Sequence, residues 1–82
     1  MKLRVLFFSV LRDITGVDET TIELPAGQAT VASLLDHLCA LWPALRGWDQ
    51  SLLIAVDHVY ARRGDSLHEN AEVAIMPPVQ GG

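Results

Sequence analysis

Eighty-two residues, 50% of them hydrophobic, with six basic against ten acidic side chains for a formal charge of −4, describe one small domain. A chain this short hides only about 60% of the surface its unfolded form exposes, so a single core fits and a deep active-site cavity does not. The scattered basic residues argue against nucleic acid, which needs clustered Lys and Arg, and no stretch approaches the ~20 apolar residues of a membrane span.

The first segment, residues 2–8, is rich in β-branched and aromatic residues and reads as a strand, with Leu3, Val5 and Phe7 on one face and Leu6 and Phe8 on the other. At Phe7 the spacing changes. Phe7, Val10, Leu11 and Ile14 fall at i, i+3, i+4 and i+7, which predicts a short helix stopping at Gly16. Thr20, Ile22 and Leu24 then alternate with polar residues as a half-buried second strand, closed by Pro25. Thr30 is placed as an N-cap. Behind it Val31, Leu34, Leu35, Leu38, Leu41 and Trp42 form one helical stripe, ended by Pro43, that must lie on a sheet.

Residues 44–50 show no clear period and are expected to be loop. Residues 51–56 read as a strand, Asp57-His58 as a turn into a short strand at 59–61, residues 62–70 as polar loop, and residues 72–76 as a last strand. Two N-terminal strands, one dominant helix and C-terminal strands amount to an α+β fold with a mixed sheet wrapped on a helix. The expected organisation is a domain over residues 1–76 and a protruding tail over 77–82.

Side-chain chemistry is sparse. His37, His58 and His68 lack metal-ligand spacing and read as structural or solvated. Cys39 lies beside the helical stripe, with nothing near it to stabilise a thiolate, and reads as a core or near-core thiol. A single cysteine excludes an intrachain disulfide and a cysteine-rich zinc site. Arg62-Arg63 and the loop carboxylates read as solvated. The N-terminal run resembles a signal peptide only superficially, since it is short, broken by Ser9 and followed by no small-residue cleavage pattern, so a cytoplasmic protein is expected.

The chain ends Pro77-Pro78-Val79-Gln80-Gly81-Gly82. The prolines hold the exit from the last strand extended, and the two glycines, lacking Cβ, can thread a narrow channel. Six residues at ~3.3 Å each reach about 20 Å, roughly the depth of a partner's cleft. A carboxylate is a poor electrophile at neutral pH, and this chain has no phosphate cradle with which to activate one. Activation therefore falls to a partner. High apolar content in so small a domain, with a first strand apolar on both faces, also implies a docking surface, for which Leu6, Phe8, Met76 and Val79 are the candidates.

Leu6-Phe-Phe-Ser-Val-Leu-Arg-Asp-Ile-Thr-Gly16, Leu24-Pro25, the helix start Thr30-Val31 with Leu34-Leu35, Leu53-Ile-Ala-Val-Asp57 and the Pro-Pro-Val-Gln-Gly-Gly ending together resemble the small-subunit (MoaD) family of molybdopterin synthase. The resemblance spans essentially the whole chain. It implies a ubiquitin-like β-grasp fold of about five strands on one main helix. It also implies a cycle in which Gly82, presented by Gly81, is adenylated by an ATP-dependent activating enzyme. Sulfur from a persulfide donor, such as a cysteine desulfurase or rhodanese, then displaces AMP and leaves a C-terminal thiocarboxylate (1-thioglycine). Within a heterotetramer of two small and two large subunits, that sulfur passes to cyclic pyranopterin monophosphate. No bound cofactor, metal, nucleic acid or membrane is implied. Arg12, Pro77 and Pro78 join the partner-binding candidates on the same ground.

Two positions depart from the family pattern. Glu69-Asn70-Ala71-Glu72-Val73 stands where the family has Asp-Gly-Asp-Glu-Val, and Asn70 is the non-glycine residue best able to hold φ > 0 there. Ile75-Met76 replaces the family's aromatics. The residues also leave open a sulfur carrier of thiamine synthesis or tRNA thiolation, a protein modifier joined through Gly82, or a β-grasp binding module with an incidental tail.

Overall fold

A computed structural model describes residues 1–25, 27 and 29–78. Strand β1 (Lys2–Phe7), helix α1 (Val10–Thr15), strand β2 (Glu19–Glu23) and helix α2 (Val31–Leu41) are followed by two 3-10 turns (Pro43–Gly47 and Asp49–Ser51). Strands β3 (Leu53–Val56), β4 (Val59–Tyr60) and β5 (Glu72–Met76) complete the order. The sheet runs β2-β1-β5-β3-β4. Central strand β5 is parallel to its neighbour β1, and the other neighbours are antiparallel, the mixed five-stranded sheet of a β-grasp.

Period-two alternation sorts the sheet into two faces. Leu3, Val5 and Phe7 of β1, Ile22 of β2, Ile54 of β3 and Val73 and Ile75 of β5 point inward and are buried. They meet Val31, Leu34, Leu35, Leu38 and Cys39 of α2, also buried, in one core. Each fully buried Leu or Phe there contributes roughly 1.5–3 kcal/mol. The Phe7 ring meets the Trp42 indole edge-on, with centroids 5.4 Å apart at 79°, and so ties β1 to the end of α2.

The expected caps are in place. Thr30 is extended at φ −119°, and its Oγ1 accepts from the Ser33 N–H at 3.2 Å. Gly16 closes α1 at φ +79°, its N–H donating to the Arg12 carbonyl at 2.7 Å. Asn70 sits at φ +64°, the left-handed conformation that its position in the last turn requires.

Three expectations are corrected. Leu41 is 51% exposed rather than part of the buried stripe. The chain leaves α2 at Trp42, and Trp42 and buried Leu45 fill the core below the last turn. Residues 44–50 are not irregular: the Leu45, Trp48 and Ser51 N–H groups donate in succession to the Trp42, Leu45 and Trp48 carbonyls, which is three-residue helical bonding. Strand β3 begins at Leu53, and β4 ends at Tyr60.

The polar segment 62–70 acts as a strap. Its Asp65 and Arg63 carbonyls accept from the Val31 and Ala32 N–H groups, which occupies the first turn of α2. Arg63 donates to the backbone carbonyl and carboxylate of Asp49, so this arginine is an anchor rather than a solvated side chain. Buried Leu67 pins the segment's middle to the core.

Candidate functional site

The outer face of the sheet, opposite α2, has two unlike ends. At one end Arg4 bridges Glu19, with Nε to Oε2 at 3.1 Å, and Glu72, with Nη2 to Oε1 at 3.3 Å. His58 Nε2 stands 3.3 Å from the other Glu72 oxygen. Exposed pairs of this kind contribute at most about 1 kcal/mol each. Their effect is to fence one end of the face with charge.

The other end is apolar and concave. The strand registers place Leu6, Ala74, Ala55 and Tyr60 side by side across β1, β5, β3 and β4. Two adjacent alanines make a low floor between taller neighbours. The result is a groove of about 310 Å³ lined by Leu6, Phe8, Ala55, Ala74, Tyr60 and Met76, with His58 and Glu72 at its polar end. Phe8 and Tyr60 are 45% and 71% exposed, which is unusual for aromatic rings in a chain with so few.

The backbone around Phe8 explains its position. The Phe8 N–H donates to the Ile75 carbonyl at 3.2 Å, while the Phe8 and Ser9 carbonyls already accept from the Leu11 and Arg12 N–H groups of α1. Strand must become helix within one residue. Ser9 absorbs the turn at φ +59°, ψ −132°, outside the basins open to an L-residue, and its side chain caps nothing. Tyr60 and His58 are held by the β3–β4 turn. Asp57 and His58 there have φ of +50° and +72°, the two positive values of a primed hairpin turn.

That turn is clipped to the strap. One oxygen of the Asp57 carboxylate accepts from the Glu72 N–H at 3.0 Å and the other meets His68 Nε2. The Glu72 N–H and the His68 ring hold the Asp57 carboxyl below its usual range. Asp57 in turn raises the His68 imidazole above its ordinary value. Burial and the nearby Asp49 raise the Cys39 thiol, away from thiolate chemistry.

Of the sequence candidates, Leu6, Phe8 and Met76 come together in the groove. Arg12 is exposed on α1, and Pro77 and Pro78 follow Met76 half-buried. Val79, Gly81 and Gly82 lie outside the described residues. Ala55, His58, Tyr60, Glu72 and Ala74 were missed. The period-two run Glu72, Ala74, Met76 was the available signal for three of the groove's residues. Among the described residues no cluster of His, Cys, Asp and Glu could hold a metal ion, and no helix is long and apolar enough to cross a membrane.

The model of the ThiS family matches residues 5–82, nearly the whole chain and all of the groove-lining residues. The chain belongs to the ThiS family. It is 39% identical to the molybdopterin synthase sulfur carrier subunit of Escherichia coli, over 98% of this chain and 99% of that one. It is 38% identical to the subunit of the same description from Chlamydomonas reinhardtii, over the full length of both. SAMP1, the small archaeal modifier protein 1 of Haloferax volcanii, superposes with a TM-score of 0.84 at 27% identity, with 100% of each chain covered. A Caldiarchaeum subterraneum ubiquitin superposes with a TM-score of 0.63 at 14% identity over 100% and 98% of the two chains, a likeness of fold alone. The β-grasp architecture expected from the sequence is the one this ThiS-family chain adopts.

Proposed function

We propose that this protein is a sulfur carrier of molybdenum cofactor synthesis and that its working group is the C-terminal carboxylate of Gly82. End-to-end similarity to curated molybdopterin synthase sulfur carrier subunits, at 38–39% identity over 98–100% of this chain, carries this reading. In it an ATP-dependent activating enzyme adenylates Gly82. A persulfide from a cysteine desulfurase or rhodanese displaces AMP to leave the thiocarboxylate. The carrier then docks into the large synthase subunit in a two-plus-two heterotetramer, in the cytoplasm, and delivers sulfur to cyclic pyranopterin monophosphate.

The apolar groove is the natural docking surface in this scheme, because its residues lead directly into Met76, Pro77 and the tail. Residues 1–76 act as the grip and residues 77–82 as the arm. The arm's task is positional. Lengthening or shortening it by one residue moves the terminus by ~3.3 Å, while ~1 Å of misplacement can cost about 100-fold in rate.

The test is a reconstituted synthesis with activating enzyme, sulfur donor, large subunit and cyclic pyranopterin monophosphate. Deleting Gly82, or adding a residue after it, is expected to abolish molybdopterin formation while the large subunit is still bound. Full yield from the Gly82-deleted protein would refute the reading. The likeness to SAMP1 over its whole length favours a second role, in which the activated Gly82 is joined to amines of proteins.

A further inference from the structure

Both ring nitrogens of His68 face oxygens that can only accept: Nδ1 faces the Glu69 carbonyl at 3.0 Å and Nε2 the Asp57 carboxylate. A neutral imidazole carries one N–H, so it satisfies one of these oxygens and sets a lone pair against the other. Only the imidazolium donates to both. The second Asp57 oxygen accepts from the Glu72 N–H, and a carboxylate has no donor to offer a neutral ring. Among the described residues, two more carboxylates stand at this corner. Glu69 on the strap accepts from the Lys2 backbone N–H, and Glu72 on β5 is paired with Arg4 of β1 and faces His58 across the turn.

What this clip holds is one wall of the groove. Strand β4 is two residues long, lies at the edge of the sheet and pairs with β3. Its Val59 and Tyr60 are 68% and 71% exposed, so side-chain burial does little to fix it. The turn that leads into it holds Asp57 and His58 at positive φ, where glycine and asparagine are the residues at ease. The position of β4 therefore depends on its backbone bonds to β3 and on Asp57, which is tied to β5 through the Glu72 N–H and to the strap through His68. Tyr60 and His58 stand on this element and line the groove, while His68 lies outside it.

We infer that His68 is a positioning residue for docking: as the imidazolium it clips the β3–β4 turn in place, and loss of its proton releases the Tyr60 wall and weakens the groove's hold on the large subunit. The inference rests on the proposed role of the groove as the docking surface and adds its regulation by pH. The proton passes to solvent, and the ring turns away from one of its two oxygens. Because Asp57 raises the imidazole, the change falls on the alkaline side of the ordinary value of about 6.5. His68 and Asp57 side chains are 65% and 46% exposed, and an exposed pair supports a change of about three- to fivefold in Kd. By linkage, the docked chain holds this proton more tightly than the free chain does.

Two arms test it, each run from about pH 5.5 to 9. In the first, nuclear magnetic resonance on the free chain follows the His68 ring and the exchange protection of the Ala61 N–H. That N–H donates to the Ile54 carbonyl at 2.9 Å and reports whether the end of β4 stays on β3. His58→Asn is the background, which removes the other imidazole at this corner. Protection is expected to fall about three- to fivefold with the midpoint of His68, and to stay flat in His68→Gln. Asp57→Asn is expected to reverse the sign. There the amide oxygen can accept from the Glu72 N–H while the NH2 donates to Nε2, so the neutral ring becomes the one that satisfies every contact. In the second arm, titration calorimetry against the large subunit of molybdopterin synthase gives Kd for wild type and His68→Gln, and their difference cancels the partner's own pH dependence. Ala61 protection unmoved through the His68 titration, or wild type and His68→Gln losing affinity in parallel, overturns the inference. If protection follows His68 while Kd does not, Phe8→Ala decides. Weakened binding in that variant overturns the inference, and wild-type binding counts against the groove as the docking surface while supporting the assignment of His68 to its wall.

Discussion

Phe8→Ala separates docking from folding, because the ring lies on the outer face of the sheet while the core lies on the other. Phe8 is 45% exposed in the free chain. An aromatic side chain presents about 200 Å², so covering that fraction removes roughly 90 Å² from water on docking. At about 25 cal/mol per Å² this is worth ~2 kcal/mol, near 30-fold in Kd. The assay is titration calorimetry of each variant against the large subunit of molybdopterin synthase, with thermal unfolding run in parallel. Leu41→Ala is the control: Leu41 is 51% exposed but lies on α2, across the sheet from the groove, and its loss is expected to leave Kd unchanged. Folded Phe8→Ala protein that binds with wild-type affinity, or an equal loss in Leu41→Ala, would refute the assignment of the groove as the docking surface.

Ser9→Gly is expected to raise the melting temperature. Relief of a backbone held at φ +59°, ψ −132° is worth about 1–3 kcal/mol, the extra unfolded-state freedom of glycine takes back up to about 1, and a net ~1 kcal/mol shifts Tm by roughly 4–8 °C; a lower Tm would show that Ser9 is unstrained. His68→Gln is expected to flatten the pH dependence of stability above the ordinary imidazole value of about 6.5. His68 is raised by Asp57, so its contribution is complete below the ordinary value of about 6.5 and is lost as pH rises through the raised one. Asp57 is lowered, so its contribution is present above about 3.9 and is lost as pH falls through the lowered value. Tm measured from about pH 2 to 9, on the order of one reading per unit, checks both, and wild type and His68→Gln losing stability in parallel as pH rises above about 6.5 would exclude the clip.

Local signals survived folding wherever one residue type has one conformational use. Thr30 precedes an apolar run and caps it, Gly16 follows one and closes it, and Asn70 takes the positive φ that few other residues tolerate. The inner face of β1 was legible because Leu3, Val5 and Phe7 recur in a strict period of two against Lys2, Arg4 and Leu6. Residues 43–51 were not, although Trp42, Leu45 and Trp48 recur every third position, the spacing of a 3-10 turn. So short a run competes poorly with the expectation of loop around Gly47. Leu41 fits its stripe by helical spacing and is exposed all the same, because where a helix stops being covered depends on where the sheet below it ends.

The apolar groove shows the same divide more sharply. Leu6, Phe8 and Met76 could be singled out one strand at a time, as apolar residues on a face that α2 does not cover. The concavity between Phe8, Met76 and Tyr60 could not, since it exists only because Ala74 lies between Leu6 and Ala55, and Ala55 beside Tyr60. Those neighbours are set by three separate strand registers. A slip of one residue in β5 or β3 would turn an alanine inward and raise Val73 or Ile54 into the slot. Register in turn is held from outside the groove. Asn70 places β5, the Asp57–His68 clip joins the β3–β4 turn to the strap, and Glu72 bonds to the Asp57 carboxylate through its N–H and to Arg4 through its side chain. The polar residues that look incidental in the sequence therefore give the apolar surface its shape.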